Sequence, residues 1–317
     1  MATRPTLTIA LCTRNRPEMA AACAARLLAC DPPADEILVV DQSDGDATRR
    51  GIEALPNRSR LRLVATPTRG LSRSRNIAIR EATGELIAFT DDDCLPRHDW
   101  PERLRDAFVR WPEAAAVTGA SRPEDVAGLD ARAIAATTWA PPGPVLHRGL
   151  LDPANVGGGL NMAIRAEALA AIGGFDERLG AGVPLLGADD QDILHRLLRE
   201  RRLVVYDPAA VVSHRPWRDA SEQRETDFSY SLSRGGWTAL ALRSGDLSVL
   251  RLVARSSGRS ALRSLANLLT GHPGAALYHA SIVGQAARGF TLGLAAPRER
   301  APLFEALQRR ADRGDAT

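Results

Sequence analysis

Asp91, Asp92 and Asp93 stand in a row directly after the apolar run Leu86-Ile87-Ala88-Phe89. Like charges this close repel each other, and none of them helps to build a strand. They make sense if a cation neutralises them, and carboxylate oxygens suit Mg2+ or Mn2+. Such ions keep several waters and bind through one or two carboxylates plus substrate phosphates. The run therefore points to a phosphate-bearing substrate held through a metal; the plain alternative is a solvated acidic turn. A second cluster, Asp189, Asp190 and Asp192, opens a stretch of helical composition. Carboxylates there favour the helix dipole, so capping alone accounts for Asp189. A carboxylate crowded by others has a raised pKa, which suits a general base. His214 follows a candidate strand; a lone His is more often structural, and its neighbours do not decide the matter. Together these groups make an oxygen–nitrogen set suited to Mn2+ or Mg2+.

The elements that must position them alternate. Leu7–Leu11, Glu36–Val40, Leu61–Ala65 and Leu86–Thr90 are short apolar runs, candidate buried strands. Between them Glu18–Cys30, a stretch ending near Leu55, and Leu71–Ala82 have helical composition. This alternation predicts a mostly parallel sheet covered on both faces. In such sheets ligands bind beyond the carboxyl ends of the strands. The polar clusters Thr13–Asn15, Asp41–Asp44 and Asp91–Asp93 all lie at such ends, so they should converge, and this favours the metal reading of the triple Asp. Asn155–Met162 and Gly173–Gly182 read as glycine-rich loops. Asp189–Glu200 reads as helix, and Leu203–Tyr206 and Val211-Val212 as strands. Near residue 225 the pattern changes to helical, Arg-studded and apolar, a soft domain boundary.

Composition narrows the class further. The 317 residues are 44% apolar and 25% charged, an ordinary globular balance. There is no lysine, which excludes a Lys base or Schiff base. Net charge is +3, yet from Arg234 onward 12 Arg face 5 Asp plus Glu, a local +7. Cys12, Cys23, Cys30 and Cys94 show no disulfide or zinc spacing, so a reduced, cytoplasmic setting is expected. No signal-peptide core or transmembrane run is visible.

The segment RGLSRSRNIAIREATGELIAFTDDDC resembles the heart of the family 2 glycosyltransferases. Four other stretches resemble further elements of that family in the same order: CTRNRP, VVDQSDGD, GGGLNMAIRAEALAAIGGFDERL and ADDQDILHRL. Each is weak alone; the ordered set over residues 5–218 is strong. Departures occur at Arg14, Ser74, Ala78 and Asp189, the last standing where the family usually has Glu. The resemblance implies an α/β GT-A fold, Rossmann-like, with a helical C-terminal extension. It implies a nucleotide-sugar half over about 1–120, an acceptor half over about 121–225, and a helical region over 226–317. Asp41 would contact the nucleobase, with Thr13 and Arg14 along the same nucleotide. Asp92 would approach the ribose, Asp93 would hold Mn2+ or Mg2+, and Asp91 would support that site. Asp190 would be the base that deprotonates the acceptor hydroxyl. His214 matches a position that ligates metal in some relatives. Arg69, Arg73 and Arg75 would pair with phosphate or cover the sheet, and Asn76 would fix backbone.

The implied reaction is a single displacement from a nucleotide-diphosphate sugar, UDP being the family's commonest nucleotide, to an acceptor hydroxyl. It inverts the anomeric carbon and needs no nucleophilic Ser or Cys. Gly157–Gly159 and Gly180–Gly187 are lid candidates. The Q-x-x-R-W element of processive relatives is absent, so one sugar per encounter is expected. Arg251, Arg255, Arg259 and Arg263 recur every four residues along a helical pattern with Leu247, Leu250, Val253, Leu262, Leu265 and Leu269. Such a helix can lie on an anionic bilayer, which would suit a lipid-linked acceptor, pack on the catalytic domain with its Arg face in water, or form a homodimer contact. Two other readings compete. A nucleotidyltransferase also uses Asp pairs, but CTRNRP lacks the glycines of its usual loop. A nucleic-acid-binding protein would use the Arg-rich end, against the acidic strand ends of the main domain. No nucleic-acid partner is expected.

Overall fold

The structure is a computed structural model that describes residues 4–124, 141–215 and 220–298. The helical expectation for residues 299–317 lies outside these. The chain divides into two compact units. One holds the described residues of 1–175 and 193–217; the other holds 176–192 and those of 218–301. The second unit thus joins 176–192, a stretch assigned from sequence to the acceptor half, with the chain from 218 onward.

The first unit is built on one sheet. The four candidate strands are β1 (Leu7–Thr13), β2 (Glu36–Asp41), β3 (Leu61–Ala65) and β4 (Leu86–Asp91). Five more follow among the described residues: β5 (Cys94–Pro96), β6 (Ala114–Pro123), β7 (Val145–His147), β8 (Met162–Arg165) and β9 (Leu203–His214). The sheet order is β3-β2-β1-β4-β8-β6-β9-β5, with β7 also on β9. β4 sits in mid-sheet. All seven residues of β1 are buried, as a strand covered on both faces requires.

Alternate residues feed two cores. Leu7, Ile9 and Leu11 pack with α1 (Pro17–Leu28) and α4 (Trp100–Arg110) through Cys23, Leu27, Trp100 and Phe108. Ala10 and Cys12 face α3 (Leu71–Glu81), α5 (Ala166–Ile172) and the second half of α6 (Asp189–Arg199). A short helix, α2 (Ala47–Glu53), follows β2.

The sheet is more mixed than the alternation predicts. β1, β2, β3 and β4 pair parallel, and so do β6 and β9, but β8 runs antiparallel between β4 and β6. The chain leaves β6 and enters β8 at the same edge, so β8 has to run back. Leu203–Tyr206 and Val211-Val212 are parts of one strand, β9. Its register shifts opposite Gly119/Ala120, and there a Cβ on Gly119 would lie 2.2 Å from the Ala210 carbonyl oxygen. Only glycine lets the two strands close at this bulge. β9 thereby continues to the carboxyl edge of the sheet and ends at His214.

Asn161 ties these parts together. Its Oδ1 accepts from Trp100 Nε1 at 2.9 Å, and its Nδ2 donates to the carbonyls of Ala120 and Ala210, both at 2.9 Å. Asn161→Ala leaves three buried partners unsatisfied and is expected to cost about 2–4 kcal/mol. A denaturant titration with an unchanged midpoint would refute this.

The second unit contains α7 (Ala220–Arg243), α8 (Val249–Leu269) and α9 (Pro273–Ala295). α7 and α9 touch backbone to backbone: a Cβ on Gly289 would lie 1.8 Å from the Leu232 carbonyl oxygen, and one on Gly235 1.9 Å from that of Ala286. Trp237, Leu240, Val249 and Leu252 form the core of this unit, together with Leu179 and Leu185. Those two leucines anchor the loop 176–188, in which Gly180, Gly182, Leu186 and Ala188 adopt positive φ.

Candidate active site

Strand register sets the first three groups in one row. Thr13 on β1 lies opposite Asp41 on β2, and Cys12 lies opposite Asp91 on β4. The row is the carboxyl edge of the sheet, so the three expected clusters do converge. After Asp91 the chain makes a tight turn at Asp92-Asp93 and re-enters the sheet as β5. β5 runs antiparallel to β9, with Cys94 opposite His214. The long β9 thus delivers His214 to the acidic turn from 121 residues beyond Asp93 in the chain.

At the strand end and turn the three carboxylates have separate surroundings, though Asp92 and Asp93 share Arg16. Asp91 pairs with Arg75 at 3.0 Å. Arg75 is buried, also donates to the Gly159 carbonyl at 3.1 Å, and lies over the rings of Phe89 and Phe175. Asp92 accepts from the Thr13 hydroxyl at 2.7 Å and from Arg16 Nη1 at 3.0 Å. Burial raises its pKa, with Asp93 adding to the rise, while Thr13 and Arg16 oppose it. Asp93 lies 3.5 Å from Arg16 Nη1 and 3.5 Å from His214 Nε2. Its backbone carbonyl accepts from the Arg215 N–H at 3.0 Å, which pins the turn to the strand carrying His214.

Mn2+ or Mg2+ would fit these residues. Ligand atoms of Asp93, Cys94 and His214 all lie within 4.8 Å of one another. A buried carboxylate beside an imidazole is an oxygen–nitrogen set appropriate to Mn2+. Cys94 is the poor member, because a soft thiol suits Mn2+ and Mg2+ less well than carboxylate and imidazole do. Asp93 and His214 would hold the ion, with Asp92 adjacent.

A rim of polar contacts joins the loops after β1 and β2. Asp41 is buried and accepts from the Ser43 N–H at 2.9 Å. Asn15, in a left-handed conformation, exchanges hydrogen bonds with Asp44: its Nδ2 donates to the carboxylate and its Oδ1 accepts from the Asp44 N–H. Arg14 and Arg69 both pair with Asp44, at 3.0 and 3.4 Å. The Asn15 amide, followed by Arg14, holds the Asp44 pKa below the ordinary carboxylate value. Arg73 is half-buried on α3. Asn76 fixes backbone as expected, donating to the Phe175 carbonyl at 3.0 Å and accepting from the Phe175 N–H at 2.8 Å.

Asp190 belongs to the other unit, in the first turn of α6, where it is half-buried and accepts from the Gln191 N–H at 2.7 Å. Its neighbours Asp189 and Asp192 are buried.

Sequence reasoning missed Arg16 and Asp44. Arg16 is the cation already resting on Asp92 and Asp93, and the acidic pair holds its pKa above the ordinary value even though burial acts the other way. Its position one residue before α1, facing a row of carboxylates at the next strand end, was a usable signal. Asp44 entered only as the end of the cluster Asp41–Asp44, with no role of its own, since nothing in its spacing told of two arginines converging on it.

A family model described as "Glycosyl transferase family 2" matches residues 8–173, more than half of the chain. The chain belongs to that family. Membership favours the glycosyltransferase reading over the nucleotidyltransferase one. Among similar proteins are the glucosyl-dolichyl phosphate glucuronosyltransferase of Haloferax volcanii, 26% identical over 56% of this chain and 56% of that protein. The succinoglycan biosynthesis protein ExoO of Rhizobium meliloti is 38% identical over 31% of this chain and 27% of its own length. The chain thus spans about half or less of the curated relatives it matches. Among solved structures, mannosyltransferase PcManGT from Pyrobaculum calidifontis in complex with GDP-Man and Mn2+ aligns with TM-score 0.57 and 23% identity, covering 99% of this glycosyltransferase and 81% of PcManGT. GalNAc-T7 with UDP, GalNAc and Mn2+ aligns with TM-score 0.54 and 13% identity, covering 78% of this chain and 52% of that one. These likenesses establish the GT-A fold of the glycosyltransferase.

Proposed function

We propose that this glycosyltransferase moves one sugar from a nucleotide-diphosphate sugar, UDP-linked by preference, to an acceptor hydroxyl, with inversion and without processive extension. The observation that carries the reading is the convergence at one sheet edge of Thr13, Asp41 and the Asp92-Asp93 turn, with His214 brought alongside. Asp41 and the polar rim receive the nucleoside, and Asp92 the ribose. A divalent cation held by Asp93 and His214 would supply positive charge beside the departing diphosphate. Arg75, engaged with Asp91 and Gly159, acts here as a positioning residue, which favours the second of its two sequence readings, cover of the sheet, over a phosphate contact. Arg14 and Arg69, held near the rim by the exposed Asp44, can exchange that carboxylate for a phosphate. Asp190 takes the proton from the acceptor hydroxyl as that oxygen attacks. Displacement opposite the leaving group inverts the anomeric carbon, and no covalent intermediate is needed.

The name of the Haloferax relative, a transferase acting on glucosyl-dolichyl phosphate, supports a lipid-linked acceptor. The four cysteines are all free and buried, in keeping with the cytoplasmic setting we infer from them. Calorimetric titration with UDP, GDP and dTDP, each with and without Mn2+, tests the donor half. Metal-dependent binding of at least one nucleoside diphosphate is expected, with UDP tightest. Absence of any such binding would sink the metal-dependent reading, and tighter GDP binding would move the donor class.

A further inference from the structure

The helical unit carries a surface that the transfer reaction does not use. Toward the interior of that unit, α8 buries Val249 and Leu252, and its Ser264 hydroxyl donates to the Ala276 carbonyl at 2.8 Å. Its opposite face is apolar and uncovered. Leu262, Leu265, Leu268 and Leu269 are 69%, 54%, 61% and 78% exposed, and Leu277 at the start of α9 is 68% exposed. The sequence left open a helix that buries its leucines and turns its arginines to water. The packing is otherwise: these leucines point outward, and Arg251, Arg259 and Arg263 are exposed along the same helix. Between Asp246 and Glu299 the chain has six arginines and no acidic residue.

We propose that this face docks the transferase on an anionic phospholipid bilayer. Leucine side chains would enter the headgroup–acyl boundary, while the arginines, with apolar stems and charged ends, reach lipid phosphates. Charge complementarity selects the occupant. A second copy would bring an identical face without a single carboxylate, so the arginines would meet only each other. A polyanion without hydrocarbon would leave the leucines in water. No helix among the described residues is long and apolar enough to cross a membrane, so the contact is one of lying on the surface.

Flotation of the full chain tests this, with vesicles of phosphatidylcholine alone and of equal parts phosphatidylcholine and phosphatidylglycerol. Wild type is expected to float with the mixed vesicles and to be released by salt. Leu265→Ser combined with Leu269→Ser should weaken partition by about tenfold per leucine. Arg251→Gln combined with Arg263→Gln should reduce the preference for anionic lipid by about fivefold per arginine. Each variant is also titrated with nucleoside diphosphate, which must be unaffected, so that loss of fold is separated from loss of docking. Failure to float with mixed vesicles overturns the proposal, as does a leucine variant that floats like wild type. Dimerisation in sedimentation that the leucine variant abolishes, without vesicle binding, overturns it in favour of a second copy. The nucleotide and vesicle assays are independent, so either reading can fail alone.

Discussion

Asp190→Asn is expected to lower sugar transfer by at least about 100-fold while leaving nucleotide affinity unchanged. The substitution keeps size and shape, and an amide oxygen can still accept the Gln191 N–H that Asp190 accepts at 2.7 Å. What it removes is the capacity to take a proton. In a single displacement the acceptor oxygen must lose its proton as it attacks, and a positioned carboxylate contributes about 100- to 10,000-fold to such a step. Asp190 suits the task better than its neighbours. Asp189 and Asp192 are almost fully buried, whereas Asp190 is half-exposed at the start of α6 and so open to an acceptor. The measurement is nucleoside diphosphate release from a panel of sugar nucleotides, with and without added acceptor, alongside calorimetric nucleotide binding. A variant that transfers like wild type would remove Asp190 from the role. A variant that also loses nucleotide binding would make it structural.

Much of this arrangement was legible in sequence because it rests on local signals. Four apolar runs, each ending in polar residues, identified β1 to β4 and the edge at which Thr13, Asp41 and Asp91 meet. Parallel pairing then aligned those ends without further information. The second half of the sheet was harder. β6 is Ala-rich and has little strand character in isolation, and β8 emerges directly from a glycine-rich loop. The unity of β9 depends on a bulge that exists only because Gly119 admits the Ala210 carbonyl, a tertiary fact with no local trace. The outward face of α8 was equally hidden. Helical periodicity reveals that leucines and arginines segregate, but only packing against α7 and α9 decides which stripe is buried. Pairwise ion contacts were the least legible. Asp44 acquires two arginines from different loops, and Arg16 reaches the acidic turn across 76 residues of chain.

Arg16 also sets the sharpest test of the metal reading, since it offers a rival explanation of the acidic turn. Its guanidinium, 3.0 Å from Asp92 and 3.5 Å from Asp93, already supplies one positive charge, and an acidic turn neutralised by an arginine needs no ion. The two accounts predict different outcomes. If a divalent cation occupies the turn, Arg16 competes with it for the same oxygens. Arg16→Ala should then tighten Mn2+ binding, by about tenfold for a half-exposed charge at this range. Asp93→Ala should weaken metal-dependent nucleotide binding by at least about 100-fold, and His214→Ala by about tenfold, as the loss of ligands requires. If Arg16 is merely the counterion of a structural turn, Arg16→Ala leaves buried carboxylates uncompensated. The fold should then be destabilised, and neither Asp93→Ala nor His214→Ala should change nucleotide affinity. Titration of Mn2+ into each variant, followed by electron paramagnetic resonance of the free ion, reads the first pattern without reference to catalysis, and thermal unfolding reads the second. Tightening in the Arg16 variant together with weakening in the Asp93 and His214 variants has no source in an arginine-neutralised turn. Nucleotide affinity unchanged in all three variants would assign the turn to structure and leave the diphosphate to Arg14 and Arg69.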